Sequence, residues 1–258
     1  MRKISVIGSG TMGNGIAHCF AQYGFNVNLV DISIHNLNQA KNIINRNLDR
    51  MIQKNKISES EKIVILKRIE FNTELSQSVT NSDLVIEAAT ESKKIKLEIF
   101  KTLDALCKPK TILASNTSSI SIGEIGAVTN RKDKVIGMHF MNPVPIMELV
   151  EVIQSSETSK KTVETIMELA KQLQKKPVLV NDAPGFVANR ILLPMINEAI
   201  QTLEEGVSGV QEIDTVMRLG MSHPMGPLQL ADFIGLDVCL SILEVLYQGL
   251  KDPKYKPN

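Results

Sequence analysis

His139 and Glu151 are the two side chains whose types and spacing best suit proton transfer. His139 follows an apolar run, Lys134 to Met138, and Glu151 falls inside the next one, Met147 to Ile153. Between them, Phe140-Met141-Asn142-Pro143-Val144-Pro145 cannot be helical, because its prolines remove backbone donors and fix φ. A histidine at the end of one strand can therefore meet a glutamate from the following strand. Glu148 and Glu151 lie on different faces of that second strand. In a carboxylate–imidazole pair the acid fixes the ring tautomer and stabilises the imidazolium, while the other ring nitrogen exchanges a proton with substrate. An ordinary imidazole pKa of about 6.5 suits this at neutral pH. The same spacing also fits a surface histidine beside an unrelated acid.

The second chemical group is Gly8-Ser9-Gly10-Thr11-Met12-Gly13. It sits between an apolar run, Ile4 to Ile7, and a helical pattern through Ile16, Ala17 and Phe20. A second run, Val27 to Val30, closes on Asp31. In this strand–turn–helix–strand order Gly8 permits the tight turn, Gly10 lets a pyrophosphate approach the backbone, and Gly13 lets the helix pack on its strand. The helix start offers unpaired N–H groups and a positive dipole end to phosphates. A carboxylate at Asp31 can accept from a ribose diol and would repel a 2′-phosphate, which points to NAD rather than NADP. The bland alternative is a glycine-rich turn with no ligand.

The elements that must position these groups alternate strand and helix. Ser82 to Ala88 reads as a strand, with Glu87 near its end and Glu91 in the loop beyond. A helix spans Lys94 to Leu106. Thr111 to Ala114 leads into Ser115-Asn116-Thr117-Ser118-Ser119. Such loops follow strand C-termini, where open α/β sheets bind ligands, although Asn116 and Ser118 could equally be helix caps. After Asp31 a long polar helical stretch runs from about Ile34 to Lys56, with a second from Glu59 to Ile69. Arg46, Arg50 and Lys54 share one face of the first. That stripe fits phosphates of a nucleotide-bearing substrate, and it equally fits a solvated face. After Val178 to Val180 the turn cluster Asn181-Asp182-Ala183-Pro184-Gly185 marks a boundary. The expected units are 1–182, an α/β dinucleotide-binding fold on a mostly parallel sheet, and 183–258, all helical. Within the second unit helices are expected at Phe186 to Glu205, kinked at Pro194, at Val210 to Leu219, and from Pro227 to about Leu250 with a break near Gly235. Its apolar surface points to burial against a partner subunit.

Bulk properties exclude several classes. The 258 residues carry a net charge of +1, with 43% apolar and 22% charged residues. Such a chain has no global field to recruit nucleic acid or a membrane surface. No stretch reaches the roughly 18 apolar residues of a membrane span. The N-terminal apolar run is interrupted after four residues by Gly8-Ser9-Gly10, so it does not read as a signal peptide. Three cysteines, Cys19, Cys107 and Cys239, show no metal spacing and point to reduced thiols in a cytoplasmic setting.

Taken together, VIGSGTMGNGIA, SDLVIEAATE, ASNTSSISI, GMHFMNPVPIMELVE, DAPGFVANRILLPMINEA and MGPLQLADFIGLD resemble the 3-hydroxyacyl-CoA dehydrogenases, especially the small bacterial 3-hydroxybutyryl-CoA dehydrogenases. The resemblance implies NAD-dependent interconversion of (S)-3-hydroxyacyl-CoA and 3-ketoacyl-CoA. It implies His139 as general acid/base, Glu151 as its orienting carboxylate, and Ser118 at the substrate's 3-oxygen and the nicotinamide. Asn189 would help position substrate. Glu91, Lys96, Asn116 and Asn142 would line the NAD site, and Arg46, Asn47, Arg50 and Lys54 would hold CoA. It also implies a homodimer through the helical unit. Members of the family usually continue past a motif like Asp252-Pro253-Lys254-Tyr255 with another helix and a glycine-rich end. The resemblance therefore implies a tail beyond Asn258 that completes the helical unit. Rival expectations are a same-superfamily dehydrogenase of a free sugar acid, like the gulonate dehydrogenases, and a non-catalytic NAD-binding protein.

Overall fold

The computed structural model describes residues 1–258. They form two compact units, Met1–Asp182 and Ala183–Asn258. The first is built on eight strands: β1 (Lys3–Ile7), β2 (Asn26–Val30), β3 (Ile69–Asn72), β4 (Leu84–Glu87), β5 (Ile112–Ser115), β6 (Val135–Phe140), β7 (Leu149–Gln154) and β8 (Lys176–Asn181). Their order in the sheet is β3-β2-β1-β4-β5-β6-β7-β8. The ladders from β3 through β6 are parallel, β7 runs antiparallel to β6, and β8 is parallel to β7. The central strands β1 and β4 are buried almost throughout, as continuous apolar runs in a two-faced parallel sheet must be.

Seven helices accompany this sheet: α1 (Thr11–Gln22), α2 (Ile34–Gln53), α3 (Glu59–Lys67), α4 (Leu75–Val79), α5 (Lys93–Leu106), α6 (Ile122–Ala127) and α7 (Lys160–Gln172). α1 buries Ile16, Ala17 and Phe20 completely, then stops in a Schellman turn: Phe25 N donates to Phe20 O and Gly24 N to Ala21 O. Phe20 meets Phe140 edge-to-face at 6.5 Å. Phe140 follows His139 directly, so the packing of α1 on the sheet also fixes the end of β6. On α2 only Leu37, Ala40, Ile44 and Leu48 are buried, a narrow stripe that leaves the rest of this long arm to solvent. Ser33 caps its start, accepting from Asn36 N, and Ser58 and Glu61 form a reciprocal capping box on α3.

The helix α3 is shorter than the sequence pattern predicts, with a physical reason. α3 ends at Lys67, and Ile69 instead opens β3, where it is 6% exposed and pairs with Val27 of β2. Burial at the sheet edge outweighs the helical periodicity that Ile69 would extend.

The second unit holds α8 (Ala188–Glu204), α9 (Val210–Gly220), α10 (Pro227–Ile234) and α11 (Leu236–Leu250). α8 continues through Pro194. Gly235, at φ 102°, separates α10 from α11, a conformation that side-chain-bearing residues rarely adopt. Leu193, Ile196, Ala231, Leu243 and Leu246 form the core of this unit. Large apolar side chains remain outside it: Leu219 is 78% exposed, Ile191 68% and Phe233 64%. No helix of the chain is long and apolar enough to cross a membrane.

One buried group in the first unit has a measurable consequence. His18 on α1 is fully buried and neither ring nitrogen has a hydrogen-bond partner. Burial, reinforced by the Lys175 ammonium, lowers its pKa to about 4. In the unfolded chain the ring titrates near 6.5, so between these values the unfolded state takes up a proton that the native state refuses. The neutral-ring contribution is intact above about pH 6.5 and is lost as pH falls toward 4, amounting to about 3 kcal/mol. Urea unfolding across this range is expected to show that loss, and His18→Met is expected to flatten it. An unchanged pH slope in the variant would remove His18 from acid destabilisation.

Candidate active site

The C-terminal ends of β1, β4, β5 and β6 lie along one edge of the sheet, because these strands are parallel neighbours. Crossovers run to opposite sides from β1 and β4, which makes the gap between them the place where open sheets take ligands. The glycine turn sits there. Gly8 has φ +94°, and a Cβ on it would come within 2.6 Å of Ala88 O. A Cβ on Gly13 would sit 1.8 Å from Gly8 O, so α1 can begin this close to β1 only without a side chain. At Gly10 the space a Cβ would fill is open, and no side chain caps the N-terminus of α1. An open cradle facing uncapped N–H groups is what a pyrophosphate requires, so these residues fit a dinucleotide.

Asp31 directly follows β2, beside this turn. Its Oδ2 accepts from Ser9 N at 2.9 Å and Ser9 Oγ at 2.8 Å, and its Oδ1 from Ser33 N at 2.9 Å and Asn36 Nδ2 at 3.3 Å. Partial burial pushes its pKa up, but the bonds from Ser33, Ser9 and Asn36 outweigh that and hold it below the usual carboxylate range. The acid is therefore ionised at neutral pH and already aimed at the mouth of the turn.

His139 and Glu151 are directly opposed in the antiparallel β6–β7 ladder. Cross-strand neighbours share a face of the sheet, and His139 Nδ1 lies 2.7 Å from Glu151 Oε2. His139 is 7% exposed and Glu151 2%. An ionised carboxylate can only accept, so Nδ1 carries the hydrogen and Nε2 is the basic nitrogen of the ring. The neighbouring loop is tied to this strand through Asn116, whose Oδ1 accepts from Phe140 N at 2.9 Å. Asn142 follows two residues later, joined to Pro143 by a cis peptide bond.

The Ser118 loop is gathered onto Glu91. One carboxylate oxygen, Oε1, accepts from Thr117 Oγ1 at 2.5 Å, Ser118 N at 2.9 Å, Ser118 Oγ at 3.2 Å, Ser119 N at 3.2 Å and Ser119 Oγ at 3.0 Å. Partial burial would raise the Glu91 pKa, but the Lys96 ammonium and these donors pull it below the ordinary range. Lys96 itself is buried against Glu87.

Comparison with known proteins decides the family. Residues 3–183 match the model of the 3-hydroxyacyl-CoA dehydrogenase NAD binding domain, and residues 185–258 match that of the 3-hydroxyacyl-CoA dehydrogenase C-terminal domain. The chain belongs to the 3-hydroxyacyl-CoA dehydrogenase family. It is 52% identical over 257 residues to the "Probable 3-hydroxybutyryl-CoA dehydrogenase" of Bacillus subtilis, covering 100% of this chain and 89% of the relative. It is 51% identical to the 3-hydroxybutyryl-CoA dehydrogenase of Bradyrhizobium diazoefficiens, covering 100% of this chain and 87% of that one. Among solved structures, (S)-3-hydroxybutyryl-CoA dehydrogenase PaaH1 from Ralstonia eutropha superposes with a TM-score of 0.96 at 49% identity, over 100% of this chain and 90% of that one.

The remaining residues that family likeness singles out fall in two places. Arg46 and Arg50 on α2 and Lys54 at its C-terminal cap are exposed, none with an ion-pair partner, and Asn47 lies half-buried beside them. Asn189 is the second residue of α8, half-buried in the helical unit. Glu87 and Ser115 are the site-edge residues whose roles the sequence pattern does not reveal. The one signal for Glu87 is an acid ending the otherwise apolar strand Leu84–Glu87.

Proposed function

We propose that the chain catalyses NAD-dependent interconversion of (S)-3-hydroxyacyl-CoA and 3-ketoacyl-CoA, with 3-hydroxybutyryl-CoA and acetoacetyl-CoA as its substrate pair. The observation that carries this reading is the buried 2.7 Å contact between His139 and Glu151 on the strand-end edge of a dinucleotide-binding sheet. NAD, when bound, supplies the hydride acceptor. His139 Nε2 takes the proton of the C3 hydroxyl as the carbon is oxidised and returns it in the reverse direction. Glu151 holds the ring so that Nδ1 carries the hydrogen, and its charge stabilises the imidazolium that forms. Ser118 contacts the 3-oxygen, and Asn189 contributes an amide that positions substrate. The protein's share of the catalysis is orientation and charge complementarity.

Gly8, Ser9, Gly10, Thr11, Met12 and Gly13 would hold the pyrophosphate, and Asp31 the adenosine ribose. Glu91, Lys96, Asn116 and Asn142 would border the nicotinamide half. Support for a CoA thioester comes from Arg46, Arg50 and Lys54, three unpaired cations spaced one helical turn apart near Asn47. Replacing all three cations by alanine is expected to raise the KM for acetoacetyl-CoA by about tenfold or more at low salt, leaving kcat nearly unchanged. The difference should shrink as salt is added. An unchanged KM would make the arm an ordinary solvated face.

The exposed Ile191, Leu219 and Phe233 support a homodimer through the helical unit, and sedimentation equilibrium distinguishes dimer from monomer. Three buried free cysteines are in keeping with a cytoplasmic setting.

The deciding experiment follows NADH absorbance with 3-ketoacyl-CoAs of C4 to C16, in parallel with NADPH and with free hydroxy acids. Turnover of acetoacetyl-CoA with NADH is the expected result. Turnover confined to free acids would make the chain a sugar-acid type dehydrogenase, and no turnover at all would leave it a dinucleotide-binding protein.

A further inference from the structure

Glu87 takes no part in the chemistry above, yet both of its oxygens are fully engaged at the site's edge. It ends β4 and is fully buried. Oε1 accepts from Ala89 N at 2.8 Å and Lys96 Nζ at 2.7 Å, and Oε2 from Lys96 Nζ at 2.9 Å and Ser115 Oγ at 2.7 Å. Lys96 is 1% exposed. Its ammonium also lies 3.3 Å from Glu91 Oε2, while Glu91 Oε1 gathers the amides and hydroxyls of residues 117–119. Charges therefore alternate, negative, positive, negative, from the end of β4 to the loop that carries Ser118.

A buried ion pair is by itself weak grounds for stability, since well-packed apolar side chains often do as well. This one differs in where it leads. The line leaves the core and finishes on Glu91, whose side chain is 38% exposed. Lys96 is the cation that pairs with the outer oxygen of Glu91, so how firmly Lys96 is held bears on how firmly Glu91 gathers the Ser118 loop. Lys96 in turn is oriented by the two oxygens of Glu87. We propose that Glu87, acting through Lys96 and Glu91, is a positioning residue that sets the Ser118 loop against the reacting carbon. This rests on the reading of Ser118 as a substrate contact.

The test compares Glu87→Gln, Lys96→Met and the double variant with the parent chain. Each single change breaks the buried Glu87–Lys96 pair and should lower the melting temperature. The double change removes both charges and should recover most of it. In the double variant, kcat with acetoacetyl-CoA and NADH is expected to fall about tenfold or more with KM for acetoacetyl-CoA little changed. Amide hydrogen exchange at residues 117–119 should become faster. Parent-like kcat and exchange in the recovered double variant would overturn the proposal. So would weakened NADH binding with unchanged exchange, which would leave Lys96 acting on the cofactor alone and not on the loop. If the parent chain turns over no acyl-CoA, the functional reading fails, and the exchange rate at 117–119 still decides whether the brace exists.

Discussion

Replacing His139 with glutamine is expected to lower kcat for acetoacetyl-CoA reduction by about 10²- to 10⁴-fold, the usual worth of a positioned acid–base group. NADH binding, read by fluorescence titration, should be unchanged. Glutamine is close in size and can still bond to Glu151, so the β6–β7 ladder should hold. What disappears is a group that can gain and lose a proton at neutral pH. The reduction needs a proton at the C3 oxygen as it leaves the carbonyl state, and an amide cannot supply one. KM for acetoacetyl-CoA should move far less than kcat, because the lost interaction exists mainly in the transition state. Near-parental turnover in a folded variant would take the imidazole out of the mechanism.

Glu151→Gln is expected to lower kcat on the order of 10³-fold without touching substrate at all. The carboxylate at 2.7 Å can only accept, which keeps the hydrogen on Nδ1. A glutamine in its place can donate to Nδ1, and the ring then carries its hydrogen on Nε2, where it cannot receive one from the C3 hydroxyl. The variant also lacks the negative charge that stabilises the imidazolium. Oxidation of 3-hydroxybutyryl-CoA should therefore suffer at least as much as acetoacetyl-CoA reduction. Because Glu151 is almost fully buried, thermal unfolding of the same preparation separates a chemical defect from a folding one. A folded variant with parental kcat would refute the orienting role.

The sequence is most informative where pattern and geometry are the same thing. Gly8 and Gly13 can be read directly, because a Cβ on either would collide with neighbouring backbone, and Gly10 because it leaves the cradle of the turn open. The buried strands β1, β2, β4, β5 and β6 announce themselves as apolar runs. β3 does not. Its four residues, Ile-Glu-Phe-Asn, are too few to show alternation, and their pairing with β2 is a long-range fact. The strand reversal at β7 is equally invisible. Prolines exclude a helix between Phe140 and Met147, but they do not say which way the chain returns, so His139 and Glu151 are nominated by the sequence and brought together by the ladder. The inward turn of Glu91 depends on a side-chain orientation chosen by five donors in a loop 26 residues away, from Thr117 onward. The role of Glu87 in holding Lys96 is hidden for the same reason.

The reversal of β7 bears on how such enzymes can diversify. Because His139 and Glu151 occupy facing rungs of one ladder within a single unit, their mutual geometry is inherited whole whenever that unit is inherited. Slippage between these strands by one residue would turn the two side chains to opposite faces, so intermediate, half-working arrangements do not exist. Lineages can therefore vary the rest of the chain while this pair keeps its geometry.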